Sequence, residues 1–121
     1  VEPENAAILA GGTVGSHLQM GIGDGLIPAI LNQEIYSDIY IVSDEEALKT
    51  ARDLARLEGL MCGISSGTNV AAAIKLAKKL GKGKTVVTVL PDTVASTAME
   101  LMYSKSPFSA TVNCSCPWAR L

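Results

Sequence analysis

Ile39-Tyr40-Ile41-Val42-Ser43-Asp44-Glu45-Glu46-Ala47 is the stretch on which the fold reading turns. A β-rich run stops at Ser43 and a helix begins. Residues 38–42 read as a buried strand, since the apolar run is short and rich in β-branched and aromatic side chains. Ser43 is a good N-cap, and Glu46 three residues on completes a capping box. Asp44 and Glu45 suit the positive end of the helix dipole. Ala47, Leu48, Ala51, Leu54, Ala55 and Leu57 then form one apolar face at helical spacing. Glu45 with Lys49 supports it as a pair four residues apart, and Gly59 is placed to stop it as a C′ glycine.

Downstream, Leu60 to Ile64 is a short apolar approach to Gly63-Ile64-Ser65-Ser66-Gly67. Two hydroxyls and two glycines at a helix start can present a hydroxyl and bare backbone N–H groups to a ligand. The plain alternative for Ser65 is an N-cap of the helix that follows. That helix is expected over 67–80, with Lys75, Lys78 and Lys79 late in it where cations are favoured. Gly81 and Gly83 end it. Thr85 to Leu90 is nearly all β-branched and lacks a polar face, the pattern of a parallel-sheet strand covered on both sides. The order strand, helix, helix, strand predicts an α/β domain with right-handed crossovers. Ligands in such sheets bind beyond the carboxyl ends of strands, where Pro3, Ser43 and Pro91-Asp92 fall.

Upstream the chain is looser. Val1-Glu2-Pro3 looks like the last residues of a strand. Residues 11–25 are glycine-dense, from Gly11-Gly12 to Gly21-Ile22-Gly23-Asp24-Gly25, and glycines permit close backbone approach to a ligand. Leu26 to Leu31 reads as a short helical turn broken by Pro28.

With 121 residues and nearly half of them apolar, the chain fits one domain able to bury about two thirds of its unfolded surface. A formal charge of −2, with no basic stripe, argues against nucleic acid as a partner. No apolar run approaches the roughly 18 residues of a membrane span, and the acidic start lacks a signal-peptide pattern. Three cysteines do not suggest a disulfide framework. Cys114-Ser115-Cys116 offers two metal ligands without a second pair, so no metal is expected. Cys62 reads as a small buried hydrophobe and His17 as a loop or core histidine. A cytoplasmic location is expected.

Several segments taken together resemble cysteine synthase (O-acetylserine sulfhydrylase), a fold-type-II pyridoxal-phosphate family. They are Val1-Glu2-Pro3, Gly11-Gly12 through Gly15, His17, Gly21 through Pro28, Val42 through Ala47, Gly63 through Gly67, and Val89-Leu90-Pro91-Asp92-Thr93. They run in family order at close to family spacing. The resemblance implies a partial three-layer α/β sandwich with a mainly parallel sheet. It makes residues 1–93 the C-terminal part of the family's larger domain and leaves 94–121 as a divergent tail. The implied activity is synthesis of L-cysteine from O-acetylserine and sulfide by β-replacement on pyridoxal 5′-phosphate. Ser65 matches the serine whose hydroxyl meets the pyridine nitrogen of the cofactor. Pro91 and Asp92 match the strand end near that nitrogen, and Gly21 the glycine whose backbone faces the substrate. A homo-oligomer and a serine acetyltransferase partner are also implied.

The same resemblance assigns the Schiff-base lysine, the asparagine loop and the phosphate-cradling loop to family segments that precede Val1. None of the seven lysines here stands in a matching motif, so no catalytic residue is assigned. The chain is expected to be a fragment that by itself binds the cofactor weakly or not at all and does not turn over. Two departures stand out. The family has His-Lys-Ile-Gln where this chain has His17-Leu18-Gln19-Met20, and Val94-Ala95-Ser96-Thr97 replaces Gly-Glu-Arg-Tyr. A cystathionine β-synthase-like fragment and a non-catalytic, partner-binding α/β domain are the alternative readings.

Overall fold

The computed structural model describes residues 1–93 and the strand 108–113. Its elements run β1 (Glu2–Pro3), β2 (Ile41–Val42), α1 (Asp44–Glu58), α2 (Ile64–Leu80), β3 (Thr85–Leu90) and β4 (Phe108–Asn113). β1 and β2 pair in parallel, Glu2 opposite Ile41 and Pro3 opposite Val42. β3 and β4 pair antiparallel, from Thr85 opposite Asn113 to Leu90 opposite Phe108. The parallel pair and the packed helices bear out the α/β reading. The expected strand over 38–42 is shorter, since only Ile41 and Val42 have a ladder partner in β1.

α1 begins as the sequence predicts, with a difference in its cap. The Ser43 hydroxyl accepts from the Glu46 amide at 3.3 Å. The other half of the capping box is not made, because the Glu46 carboxylate turns across to Lys75 on α2 at 2.7 Å. The expected Glu45–Lys49 pair is replaced as well: Lys49 meets Asp53 at 2.8 Å, and Arg56 adds a second contact at 3.1 Å. Gly59 ends the helix in the left-handed region, φ +69°, which glycine enters without the Cβ penalty.

α2 is the hub of the core. Val70, Ile74, Leu54, Cys62 and Leu90 form one buried cluster, with Ala51 against it. Ala71 and Ala72 pack on Val42 and Ala47, while Ala73 and Ala77 pack on Val86. The α2 alanines let one helix, α1, and two strands, β2 and β3, approach its axis. The closest approach is at Gly67, where a Cβ would run into the Ala47 carbonyl and lie 2.9 Å from the Ala51 nitrogen.

β3 alternates rather than being covered twice. Val86 and Leu90 are buried, and Val87 is 66% exposed. One helix layer lies against the strand among the described residues, so its β-branched run reports strand propensity and not two covered faces. Residues 4–40 carry little regular structure beyond a 3-10 turn at Glu4–Ala6. At 26–31 the structure has a single turn, with Leu31 N–H donating to the Pro28 carbonyl at 2.9 Å. Among the described residues no helix is long and apolar enough to cross a membrane.

Candidate functional site

The first turn of α2 lies between the end of β3 and the glycine-dense loop. The helix starts at Ile64, three residues before the expected boundary, and its N-cap is Gly63. Ser65 is therefore inside the first turn and is not the cap. Gly63 has no side chain to satisfy the exposed amides of the helix start. Asp92 sits there instead. A Cβ on Gly63 would overlap the Asp92 carboxylate, and the Ser66 hydroxyl donates to that carboxylate. The Ser66 hydroxyl is also 3.2 Å from the Asp92 carbonyl, and its oxygen accepts from the Asp92 amide at 3.4 Å.

Both glycines of the Gly63–Gly67 stretch are thus packing positions. Asp92 covers the first and α1 covers the second. A carboxylate at a helix N-terminus satisfies the dipole there, so this helix start repels a phosphate. The two hydroxyls divide their work. Ser66 is wholly buried and committed to Asp92. Ser65 is 5% exposed, and no described residue hydrogen-bonds its hydroxyl. A hydroxyl unused by the described residues, on a turn clamped by its neighbour, is a ready donor or acceptor for a polar ring atom.

Pro91 is exposed and follows the buried Leu90 directly. The Ser66–Asp92 contact draws it and Asp92 against the first turn of α2. Cys62 lies beside them, in a bridge with Thr93. Burial, with the nearby Asp92 charge, pushes its thiol above the ordinary range, the state of an inert packing cysteine.

Gly21 is exposed, with φ +87° and nothing within 4 Å of where a Cβ would be. It reaches the same end of α2 through Gln19, which accepts a hydrogen bond from Thr68 at 2.8 Å. Gly23 packs on the end of β1, where a Cβ would come within 2.7 Å of the Pro3 ring. His17 staples the loop to itself: Nδ1 accepts from the Gln19 amide at 3.2 Å, which leaves Nε2 to donate to the Gly23 carbonyl at 3.3 Å. Glu2 is buried and accepts from the Leu9 and Ala10 amides at 2.8 and 3.1 Å.

Sequence reasoning missed Thr68 and the buried role of Glu2, and it noted Gln19 and Ser66 without their partners. A polar residue at the end of a strand or in a glycine-rich loop carries no periodic signal, and the partners lie up to 49 positions away. Lys49, Lys75 and Lys79 pair with Asp53, Glu46 and Asp38 on outer helix faces, as solvated helix lysines do. A concavity of about 210 Å³ lies between α1 and α2, lined by Leu54, Val70 and Ile74 and not by Ser65. Cys114, Cys116 and most of the 94–121 tail lie outside the described residues.

Comparison with known proteins places these features in a family. Residues 1–92 match the family described as pyridoxal-phosphate dependent enzyme. Cysteine synthase of Staphylococcus aureus (strain Mu50) is 52% identical over 91 residues, which is 75% of this chain and 29% of that protein. Cysteine synthase B of Campylobacter jejuni is 52% identical over 93 residues, 77% of this chain and 30% of that protein. The crystal structure of cysteine synthase from Entamoeba histolytica superposes with a TM-score of 0.72 at 32% identity, over 87% of this chain and 32% of that one. The chain therefore spans under a third of the length of each of these three relatives.

Proposed function

The chain belongs to the pyridoxal-phosphate dependent enzyme family, and from that premise we propose that residues 1–93 form part of a cysteine synthase-like site. The proposed reaction joins sulfide to the β carbon of O-acetylserine, releasing acetate and giving L-cysteine. The single observation that carries the assignment of roles is the Ser65 hydroxyl, left without a hydrogen-bond partner among the described residues on a turn whose next residue is clamped.

The residues present fit the ring of pyridoxal 5′-phosphate and not its phosphate. Ser65 offers a neutral hydroxyl to the pyridine nitrogen, while the Asp92 carboxylate already fills the helix start that a phosphate would need. When bound, the cofactor supplies an electron sink that weakens bonds at the substrate α carbon. Asp92 and Ser66 hold the turn that aims Ser65, and Pro91 forms the exposed rim next to it. Gly21 presents backbone to the substrate without a side chain in the way. A hydroxyl does not force a proton onto the ring nitrogen as a carboxylate would, which moderates the sink and suits β-replacement.

Covalent attachment and the phosphate contacts are proposed to come from residues outside 1–93, since among the described residues the paired lysines Lys49, Lys75 and Lys79 meet Asp53, Glu46 and Asp38 and not this turn. In the proposed setting the protein is cytoplasmic and homo-oligomeric, with serine acetyltransferase as the partner the family implies. Residues 94–121 form a tail unlike the family. Nothing favours a cystathionine-forming or non-catalytic reading over this one.

The test is a graft. Residues 1–92 replace the matching segment of the S. aureus cysteine synthase. The chimera is expected to take up pyridoxal 5′-phosphate, seen as a visible absorbance band, and to form cysteine from O-acetylserine and sulfide. Ser65→Ala in it should weaken cofactor binding about tenfold with no loss of thermal stability. A folded chimera that stays colourless, or a Ser65→Ala variant that binds as before, refutes the assignment.

A further inference from the structure

Gln19 is wholly buried in a loop whose neighbours Leu18 and Met20 are exposed. A buried amide needs partners for its donors and its acceptor. Its side-chain nitrogen donates to the Val42 carbonyl and to Asp44 Oδ1, each at 2.9 Å. Its side-chain oxygen accepts from Thr68 Oγ1 at 2.8 Å. The orientation is forced, because exchanging oxygen and nitrogen would set an amide oxygen against a carbonyl and a carboxylate. Asp44 also reaches back, its Oδ2 accepting from the Leu18 amide at 2.9 Å. One side chain thus joins the loop to the end of β2, the start of α1 and the first turns of α2.

The attachment to α2 falls at a telling position. Thr68 follows Ser65 by three residues, and residues so spaced share a helix face. Gln19 precedes Gly21 by two. The Thr68 hydroxyl has one hydrogen and two acceptors in reach, Gln19 Oε1 at 2.8 Å and the Ile64 carbonyl of its own helix at 3.0 Å. If the loop moved away, Thr68 would stay satisfied within α2. Gly21 follows the attachment point with φ of +87° and open space around it.

We propose that the Gln19–Thr68 hydrogen bond is a latch that sets the Gly21 backbone relative to the Ser65 hydroxyl. Gln19 and Thr68 are then positioning residues, and the proposal rests on Ser65 and Gly21 being two sides of one ligand site. The latch is a property of the chain itself, so it is read without ligand.

Amide hydrogen exchange on the 121-residue chain tests it. Thr68→Val keeps the shape and removes the donor. The Leu18, Gln19 and Met20 amides should then exchange about tenfold faster relative to those of β3 and the middle of α2. Thr68→Ser restores the hydroxyl and should exchange like the parent. Gln19→Glu sets a carboxylate against the Val42 carbonyl and Asp44, and should release the loop by about a hundredfold. If Gln19→Glu fails to fold, the Thr68→Val and Thr68→Ser pair decides alone. Unchanged loop exchange in Thr68→Val overturns the latch. So does an increase shared equally by the loop, α2 and β3, which marks a merely structural contribution. A colourless chimera in the graft experiment is a separate result, against the site reading alone.

Discussion

Residues 43–92 and residues 11–37 are held by different forces. In the first region α1, α2 and β3 bury Leu54, Val70, Ile74 and Leu90 together, and the buried polar side chains, Ser65, Ser66 and Thr68, are confined to the first turns of α2. In the second, Leu26 is 79% and Ile30 96% exposed, while the buried side chain is the amide of Gln19. The helical region is shaped by apolar area, which any suitable side chain supplies. The loop is held by directional bonds at a few atoms, which only particular side chains supply. Glycine differs between them accordingly. Gly67 is there because α1 leaves no room for a Cβ, and Gly21 because the backbone is left-handed with open space around it.

The glycines give the largest test of that contrast. Gly67→Leu must push α1 and α2 apart at Ala47 and Ala51, and should cost upwards of about 3 kcal/mol. Gly21→Ala meets nothing and bears only the backbone penalty of about 1 kcal/mol. Urea denaturation of both variants measures the gap. Equal losses would mean that the two glycines serve one purpose, and the contrast would fail.

Apolar truncation sharpens the same point at a smaller scale. Val70→Ala opens space in the main cluster and should cost about 2 kcal/mol. Ile30→Ala removes a larger side chain from a position 96% exposed, and should stay within about 0.5 kcal/mol of the parent. Midpoints from the same denaturation series compare them. A loss at Ile30 as large as that at Val70 would show that the loop also buries apolar surface in solution.

What the sequence made legible follows the same division. Helical spacing and the Ser43 cap placed α1, and the β-branched run placed β3, because local rules govern both. Local rules could not tell where the Glu46 carboxylate goes: capping its own helix and pairing with Lys75 compete, and the partner on α2 wins. Likewise Ser65 and Ser66 read alike until Asp92, from a strand end 26 residues on, takes one of them. The family resemblance singled out Ser65, and the structure adds why the other serine is unavailable. Gln19 was legible only as a departure from the family pattern. Its three partners come from β2, α1 and α2, and no spacing in the sequence joins them.

The smallest expected effect compares a carboxylate in the helical region, Asp53, with Asp38, which directly follows the loop. The hydrogen bond from Lys79 holds Asp38 below its ordinary value of 3.8, with help from the Ile39 amide. The hydrogen bond from Lys49 does the same for Asp53. A carboxylate lowered by folding stabilises the fold above its unfolded value and ceases to as pH falls through the folded one. Asp38→Asn and Asp53→Asn should therefore each be less stable than the parent at neutral pH, with the difference vanishing below pH 3.8. Lys79 is raised above 10.5 by Asp38, so the Asp38 pair is at full strength below 10.5 and weakens as pH climbs through the raised folded value. Salt separates the two, since the Asp38 side chain is 50% exposed and that of Asp53 13%. At about 1 M salt, where screening reaches roughly 3 Å, the Asp38→Asn difference should disappear first. Stability curves in low and high salt report it, and the reverse order would make the Asp38 pair the better shielded of the two.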